Sequence, residues 1–331
     1  MPIPIRRREF IVTLGGTAVA WPLATRAQQA AMPVVGLLGA GGFEADAFRV
    51  AAFREGLKET GYVEGRNVAI EYRNADGHYD RLPALAAELV RSQVTVIVGI
   101  GVTASALAAK AATSTIPIVF VIGGDPVKFG LVASLNRPGG NATGVSALNN
   151  LIVPKQLEAL NEAIPKAETI GLLMNPTNPN TESDTREALA AGTALGRKLI
   201  VVHASAESEL ESAFATLATH KVDALLIRPD PMLLSQIGQL MSLAAQHNLP
   251  TLCSWRECPA AGGLLSLGAS VTDAHRLQGV YAGRILLGEK SSDLPVQQST
   301  KIEMVLNLKA AKTLGLHMPT SLLVRADEVI E

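Results

Sequence analysis

Cysteine, aromatic residues and long apolar runs are all scarce in this 331-residue chain. Two cysteines, Cys253 and Cys258, are too few for a disulfide-framed fold. With no His pair beside them they do not form a zinc motif. Their C-x4-C spacing leaves a disulfide and two buried thiols equally open. The six histidines, at 78, 203, 220, 247, 275 and 317, are scattered and read as surface or capping groups. Past the N-terminus no run reaches the ~18 apolar residues that a spanning helix needs. Charge is nearly balanced, 29 basic against 30 acidic residues. That balance argues against the clustered basic footprint of a nucleic-acid binder and against binding to an anionic membrane surface. Catalytic and cofactor motifs are missing too. There is no G-x-S-x-G elbow and no H-E-x-x-H. "GAGGFE" (39–44) carries Glu44 where a dinucleotide fingerprint needs its third glycine, and "GRILLGEKS" (283–291) carries Glu289 where a phosphate loop needs lysine. No cofactor, metal or catalytic residue is implied.

What is present begins with an address. Arg6, Arg7 and Arg8 precede a weakly apolar stretch, Ile11 to Leu23, and Thr25-Arg26-Ala27 supplies the small residues of a cleavage site. This order is that of an export signal, residues 1–27, with cleavage after Ala27. Arg7-Arg8-Glu9-Phe10-Ile11 is twin-arginine-like, although Arg6 and Val12 stand where Ser or Thr and Lys are usual. Without residues 1–27 the chain carries 25 basic and 29 acidic groups. The expected product is soluble and periplasmic, with no cysteine near the cleavage site for a lipid anchor.

Behind the leader, short β-rich runs alternate with helical patterns. "PVVGLLGA" (33–40), "NVAIEYR" (67–73), "VTVIVGIG" (94–101) and "IPIVFVIG" (116–123) read as strands. Helices are expected at 47–61, 79–93, 103–114 and 126–135. After the Pro/Gly-rich break "LNRPGGNATG" (135–144) the rhythm restarts. Strands fall at 169–176, 199–204, 223–230, 250–254 and 263–270, with helices near 181–198, 207–220, 232–247 and 272–288. The fold class is α/β: two successive units of similar size, with parallel sheets covered on both faces. About 300 residues also exceed one hydrophobic core.

In such sheets a ligand lies beyond the carboxyl ends of the strands. Gly42 and Phe43 follow the first strand. Thr103, Ala104 and Ser105 open a helix whose N–H groups suit a carboxylate. Asp125 stands before Pro126 and could meet an ammonium or cap the next helix. Asn175 and Asp230 follow strands of the second half. Trp255 and Arg256 offer an aromatic face and a fork of donors.

Three segments carry a family resemblance: "FREGLKETGYVEGRNVAIEYR", "GGDPVKFGLVASLNRPGGNATG" and "VLNLKAAKTLGLHMPTSLLVRADEVIE". They resemble the ABC_sub_bind family of ABC-transporter substrate-binding proteins, over essentially the whole chain after the leader. The resemblance implies a type I periplasmic binding fold of two Rossmann-like lobes, with lobe 1 formed by 32–147 plus 270–301 and lobe 2 by 148–269 plus 302–331. It implies crossings near 147–149, 268–270 and 300–303. It also implies capture of a small molecule between the lobes and its delivery to an ABC permease in the inner membrane; a monomer is the usual need of such a diffusing receptor. Leu267 stands where many relatives carry tyrosine, and Cys258-Pro259 follows "WRE", so no ligand is carried over. The cleft composition favours an amino-acid-like or aromatic carboxylate ligand. Alternative readings are a ligand-sensing module for a membrane kinase and an exported α/β hydrolase built on Ser105 and His275.

Overall fold

The computed structural model describes residues 32–147 and 149–331; the expected leader lies outside them. In chain order the elements are β1 (Val34–Gly39), α1 (Phe43–Glu59), β2 (Ala69–Asn74), α2 (Leu82–Arg91), β3 (Val96–Ile100), α3 (Thr103–Ala112), β4 (Ile118–Ile122) and β5 (Ala142–Ser146). Next come α4 (Asn149–Ala163), β6 (Thr169–Met174), α5 (Thr181–Ala194), β7 (Lys198–His203), α6 (Leu210–Thr219), β8 (Ala224–Ile227), α7 (Pro231–Ser235), α8 (Ile237–Gln246), β9 (Thr251–Cys253), α9 (Glu257–Ala260) and β10 (Leu265–Ala269). The chain closes with α10 (Val271–Leu286), β11 (Gln297–Gln298), β12 (Ile302–Asn307), α11 (Leu308–Thr313), α12 (Thr320–Arg325) and β13 (Glu328–Ile330).

Two sheets result. One runs β11-β5-β4-β3-β1-β2 and is parallel throughout. The other runs β13-β12-β10-β9-β8-β6-β7 and is parallel except where β10 meets β12. The continuous apolar runs of β3 and β4 are buried along their whole length, as strands covered by helices on both faces must be. Val153, Leu157 and Leu160 of α4 pack on the second sheet, against Ile170, Leu172 and Leu226. Tyr281, Ala282 and Ile285 of α10 pack on the first, with Val35, Leu37 and Val96.

The chain therefore changes sheets after β5, at Ser270 between β10 and α10, and over residues 299–301 between β11 and β12. These crossings are tied to one another. Ser270 N–H donates to Lys301 O at 2.8 Å, and Ser299 N–H donates to Ser146 O at 2.9 Å. Helices α1 and α10 approach closely because two glycines meet backbone: a Cβ on Gly56 would lie 1.7 Å from Arg276 O, and one on Gly279 would lie 2.0 Å from Phe53 O.

Several expected elements differ. Residues 126–130 form a turn and 131–135 are irregular, in place of the expected helix. Phe129 N–H bonds Asp125 O and Leu131 N–H bonds Pro126 O, but Gly130 then takes φ +69° and ends the turn. The expected helix at 232–247 is split at Gln236 into α7 and α8. Helix α4 has no counterpart in the periodic reading; it contains Pro154, which breaks that pattern. Among the described residues no helix is long and apolar enough to cross a membrane.

Candidate ligand-binding cleft

The loops after β1, β3 and β4 meet those after β6, β8 and β9 across a cleft. Its mouth is a cavity of about 610 Å³, lined by Gly41, Gly42, Phe43 and Phe48 on one side and Pro231, Leu234, Ile237 and Glu257 on the other. Deeper lie two smaller cavities of about 70 and 40 Å³. Arg49, Gly101, Gly123, Pro229 and Trp255 line both. His275 and Ser270 complete the first; Asn178, Asn180 and Asp230 complete the second.

The wall from the first sheet is built on α1. Arg49 precedes the buried Phe53 and Leu57 by four and eight residues, so helical spacing turns it inward. Arg49 Nη1 donates to Asp46 Oδ1 at 2.8 Å, and both side chains are buried. Asp46 Oδ2 is buried without a hydrogen-bond partner. Burial raises the pKa of this carboxyl; Arg49 opposes that shift, and so does the backbone of Gly41, which approaches the carboxylate without forming a hydrogen bond of full geometry to Oδ2. Behind them His275 is 1% exposed. Its pKa falls to about 3, first through burial and then through the Arg49 charge. His275 Nδ1 lies 2.8 Å from Gln278 Oε1, while Gln278 Nε2 donates to Gly99 O and Val119 O. The two carbonyls fix the amide orientation, so the neutral imidazole carries its hydrogen on Nδ1.

The opposite wall is a hydrogen-bonded frame. Asp230 caps α7 through the amides of Met232 and Leu233, and also accepts from Asn175 Nδ2 at 3.1 Å and Asn178 Nδ2 at 3.0 Å. Tyr79, from the other half, donates to Asp230 Oδ2 at 2.6 Å. A second bond across the cleft runs from Asn180 Nδ2 to Thr103 Oγ1 at 3.1 Å. Below the loop of Trp255, Arg228 bonds Asp184 at 2.8 Å and also Gln156, whose Nε2 donates to Ser254 Oγ and Leu267 O.

The ten expected site residues are thus placed as follows. Gly42 and Phe43 stand at the mouth, Phe43 63% exposed with its ring 6.1 Å from that of Tyr72. Trp255 lines both inner cavities and Asp230 the second of them. Thr103 is buried and bonded across the cleft. Ala104 packs at the edge of the first core, and Ser105 Oγ donates to Ile100 O. Asp125 Oδ1 accepts from Val127 N–H at 2.9 Å, the capping role weighed for it above. Asn175 Oδ1 accepts from the amide and hydroxyl of Thr177. Arg256, more than half exposed, pairs with Glu328 and borders a third small cavity with Trp255. Ser105 and His275 are each bonded elsewhere and do not form a nucleophile–base pair. Cys253 and Cys258 are joined as a disulfide. Among the described residues no cluster could hold a metal ion.

Sequence reasoning missed Arg49, Tyr79, Asn178 and Asn180. A charged residue in the apolar register of α1 was a readable sign of Arg49. The two asparagines sit in the post-strand segment "NPTNPNT" already singled out. Tyr79 carried no such sign.

Fold and cleft together define a two-lobed binding protein of the type I periplasmic kind. The chain belongs to the ABC transporter substrate binding protein family, whose model matches residues 44–330. This is a family of binding proteins, not of enzymes. A structure of a conserved domain protein from Vibrio cholerae is similar with TM-score 0.84 and 30% identity, over 90% of this chain and 99% of that one. A Streptococcus pneumonia domain in complex with L-Trp matches with TM-score 0.82 and 27% identity, over the same shares. A ligand-free, open substrate-binding protein from Clostridium difficile, at 26% identity and the same shares, gives only 0.64. A tyrosine-binding protein of Clostridioides difficile is 28% identical over 80% of this chain and 75% of its own length. At nearly equal identity the fit to the L-Trp complex exceeds the fit to the open form, and the bonds Tyr79–Asp230 and Asn180–Thr103 join the two walls of the cleft.

Proposed function

We propose that this protein captures an amino-acid-like or aromatic carboxylate molecule in the cleft and presents it, as a monomer, to an ABC permease. The observation that carries the reading is the pairing of Arg49, on the wall of both inner cavities, with Asp46, whose Oδ2 is buried and unpartnered. Arg49 would receive the ligand carboxylate, Asp46 would receive an ammonium, and Trp255 would pack on the side chain. Gly42, Phe43 and Arg256 border the route inward. Lobe 1 (32–147 plus 270–301) and lobe 2 (148–269 plus 302–331) would close by rotation about the three crossings.

Export of residues 28–331 to the periplasm, directed by residues 1–27 on the twin-arginine route, belongs to the same proposal. Replacing Arg7 and Arg8 by Lys should then block export, and normal export would reject that route.

A thermal-shift screen against amino acids, aromatic acids, nucleobases and sugars tests the ligand class. A ligand at 100 times its Kd stabilises by about 2.7 kcal/mol, a rise of a few degrees in Tm. Hits confined to sugars or nucleobases would overturn the reading. With an amino-acid hit in hand, Arg49→Gln should raise Kd by roughly 30-fold or more, the loss of a charge-assisted pair.

A further inference from the structure

The loop that carries Trp255 into the cleft is held at its base by the disulfide. Cys253 ends β9 and Cys258 lies in α9, so the bond closes a ring around Ser254, Trp255, Arg256 and Glu257. Both cysteines are wholly buried, and they pack in one cluster with Trp255 and Met241. Two further contacts fix the same loop. Ser254 Oγ accepts from Gln156 Nε2 at 2.9 Å. Gly268 of β10 lies so close that a Cβ there would stand 2.2 Å from Ser254 O. The indole held in this way is 5% exposed and borders three of the cavities between the two walls.

We infer that the Cys253–Cys258 disulfide is a positioning element of the binding site: it holds Trp255 in the cleft wall and so sets ligand affinity. The inference rests on the binding reading above. Its physical basis is preorganisation. A four-residue loop closed by a covalent bond loses little freedom when ligand packs on its indole, whereas an open loop must be ordered at the moment of binding. A disulfide that served stability alone would lower Tm when removed and leave Kd unchanged.

Trp255 reports on its own position. The only other tryptophan, Trp21, falls within the proposed leader, so residues 28–331, or a Trp21→Phe background where the leader is retained, leave a single emitter. In that background Cys253→Ala/Cys258→Ala should shift Trp255 emission to the red and increase its quenching by acrylamide. Emission maximum and quenching are the readouts, because a neighbouring disulfide alters intensity by itself. Titration calorimetry with L-tyrosine and L-tryptophan, well below every variant's Tm, should show Kd raised about fivefold or more. In a Trp255→Ala background, removing the disulfide should change Kd by less than about twofold, since the two effects act through one side chain. Should the double alanine variant not fold, Cys253→Val/Cys258→Ala keeps more of the buried volume and serves the same comparison.

Parent-like emission and Kd in the folded variant would overturn the inference. So would a penalty that persists undiminished in the Trp255→Ala background. If the parent binds neither amino acid, the ligand is not one of these two, the wider binding reading is left to the thermal-shift screen, and the emission and quenching of Trp255 still decide whether the disulfide positions it.

Discussion

Tyr79 and Asp230, 151 residues apart in sequence, form a 2.6 Å hydrogen bond across the cleft. Its geometry is prepared on one side only. Asp230 is oriented within its own half by two asparagines and two backbone amides, whereas Tyr79 comes from the other half, so under the proposed lobe closure this bond would form as the halves meet. Burial, and then the Asp230 charge, push the Tyr79 pKa far up, so the phenol stays a donor at neutral pH.

Tyr79→Phe should therefore act on closure. A hydrogen bond to a carboxylate contributes about 1.5–3 kcal/mol. Its loss would populate the open form and raise the apparent Kd in proportion to the lost closed fraction. Small-angle scattering of the ligand-free variant should show a larger radius of gyration, with Tm nearly unchanged. An unaltered radius and Kd would remove Tyr79 from the closing mechanism.

His275 predicts a pH dependence. Its folded pKa is about 3, and an unfolded imidazole titrates near the model value of 6.5. Between those values the unfolded chain binds more protons, so this contribution is complete above pH 6.5 and declines as pH falls. The slope approaches about 1.4 kcal/mol per pH unit. Denaturant midpoints from pH 7.5 to 4.5 should flatten in His275→Asn, which keeps a donor near the Nδ1 position without the titration.

The Arg228–Asp184 pair lies wholly within the second half. Asp184→Ala strands a buried guanidinium and should cost about 3–5 kcal/mol in urea unfolding. Asp184→Leu with Arg228→Met should cost clearly less, because no charge is left without its partner. A double variant as unstable as the single would show that the pair is needed for more than mutual neutralisation.

Gly279→Ala tests the close approach of α1 and α10. The added methyl would meet Phe53 O at 2.0 Å, and backbone cannot yield as a side chain does. A loss of about 1–3 kcal/mol is expected. Because α1 also carries Asp46 and Arg49, a drop in ligand affinity should accompany it.

Local pattern made much of this molecule readable. The runs at 34–39, 96–100 and 118–122 are so uniformly apolar that only strands buried on both faces satisfy them. The loops following them could be named as cleft walls before any contact was known, and Trp255 with them. Residues 126–135 misled because apolar spacing is compatible with a helix that Gly130 ends after one turn. Helix α4 escaped because Pro154 interrupts the pattern, although its packing on Ile170 and Leu172 holds it.

By itself the sequence determined the alternation of strands and helices, the absence of cofactor motifs and the family. These depend on the order and spacing of neighbouring residues, which the chain states directly. The tertiary structure alone decided that Cys253 meets Cys258, that Asp46 keeps one buried oxygen unpartnered beside Arg49, and that Tyr79 closes on Asp230. Such contacts depend on distances between residues far apart in the chain, and packing sets those distances once both sheets have formed.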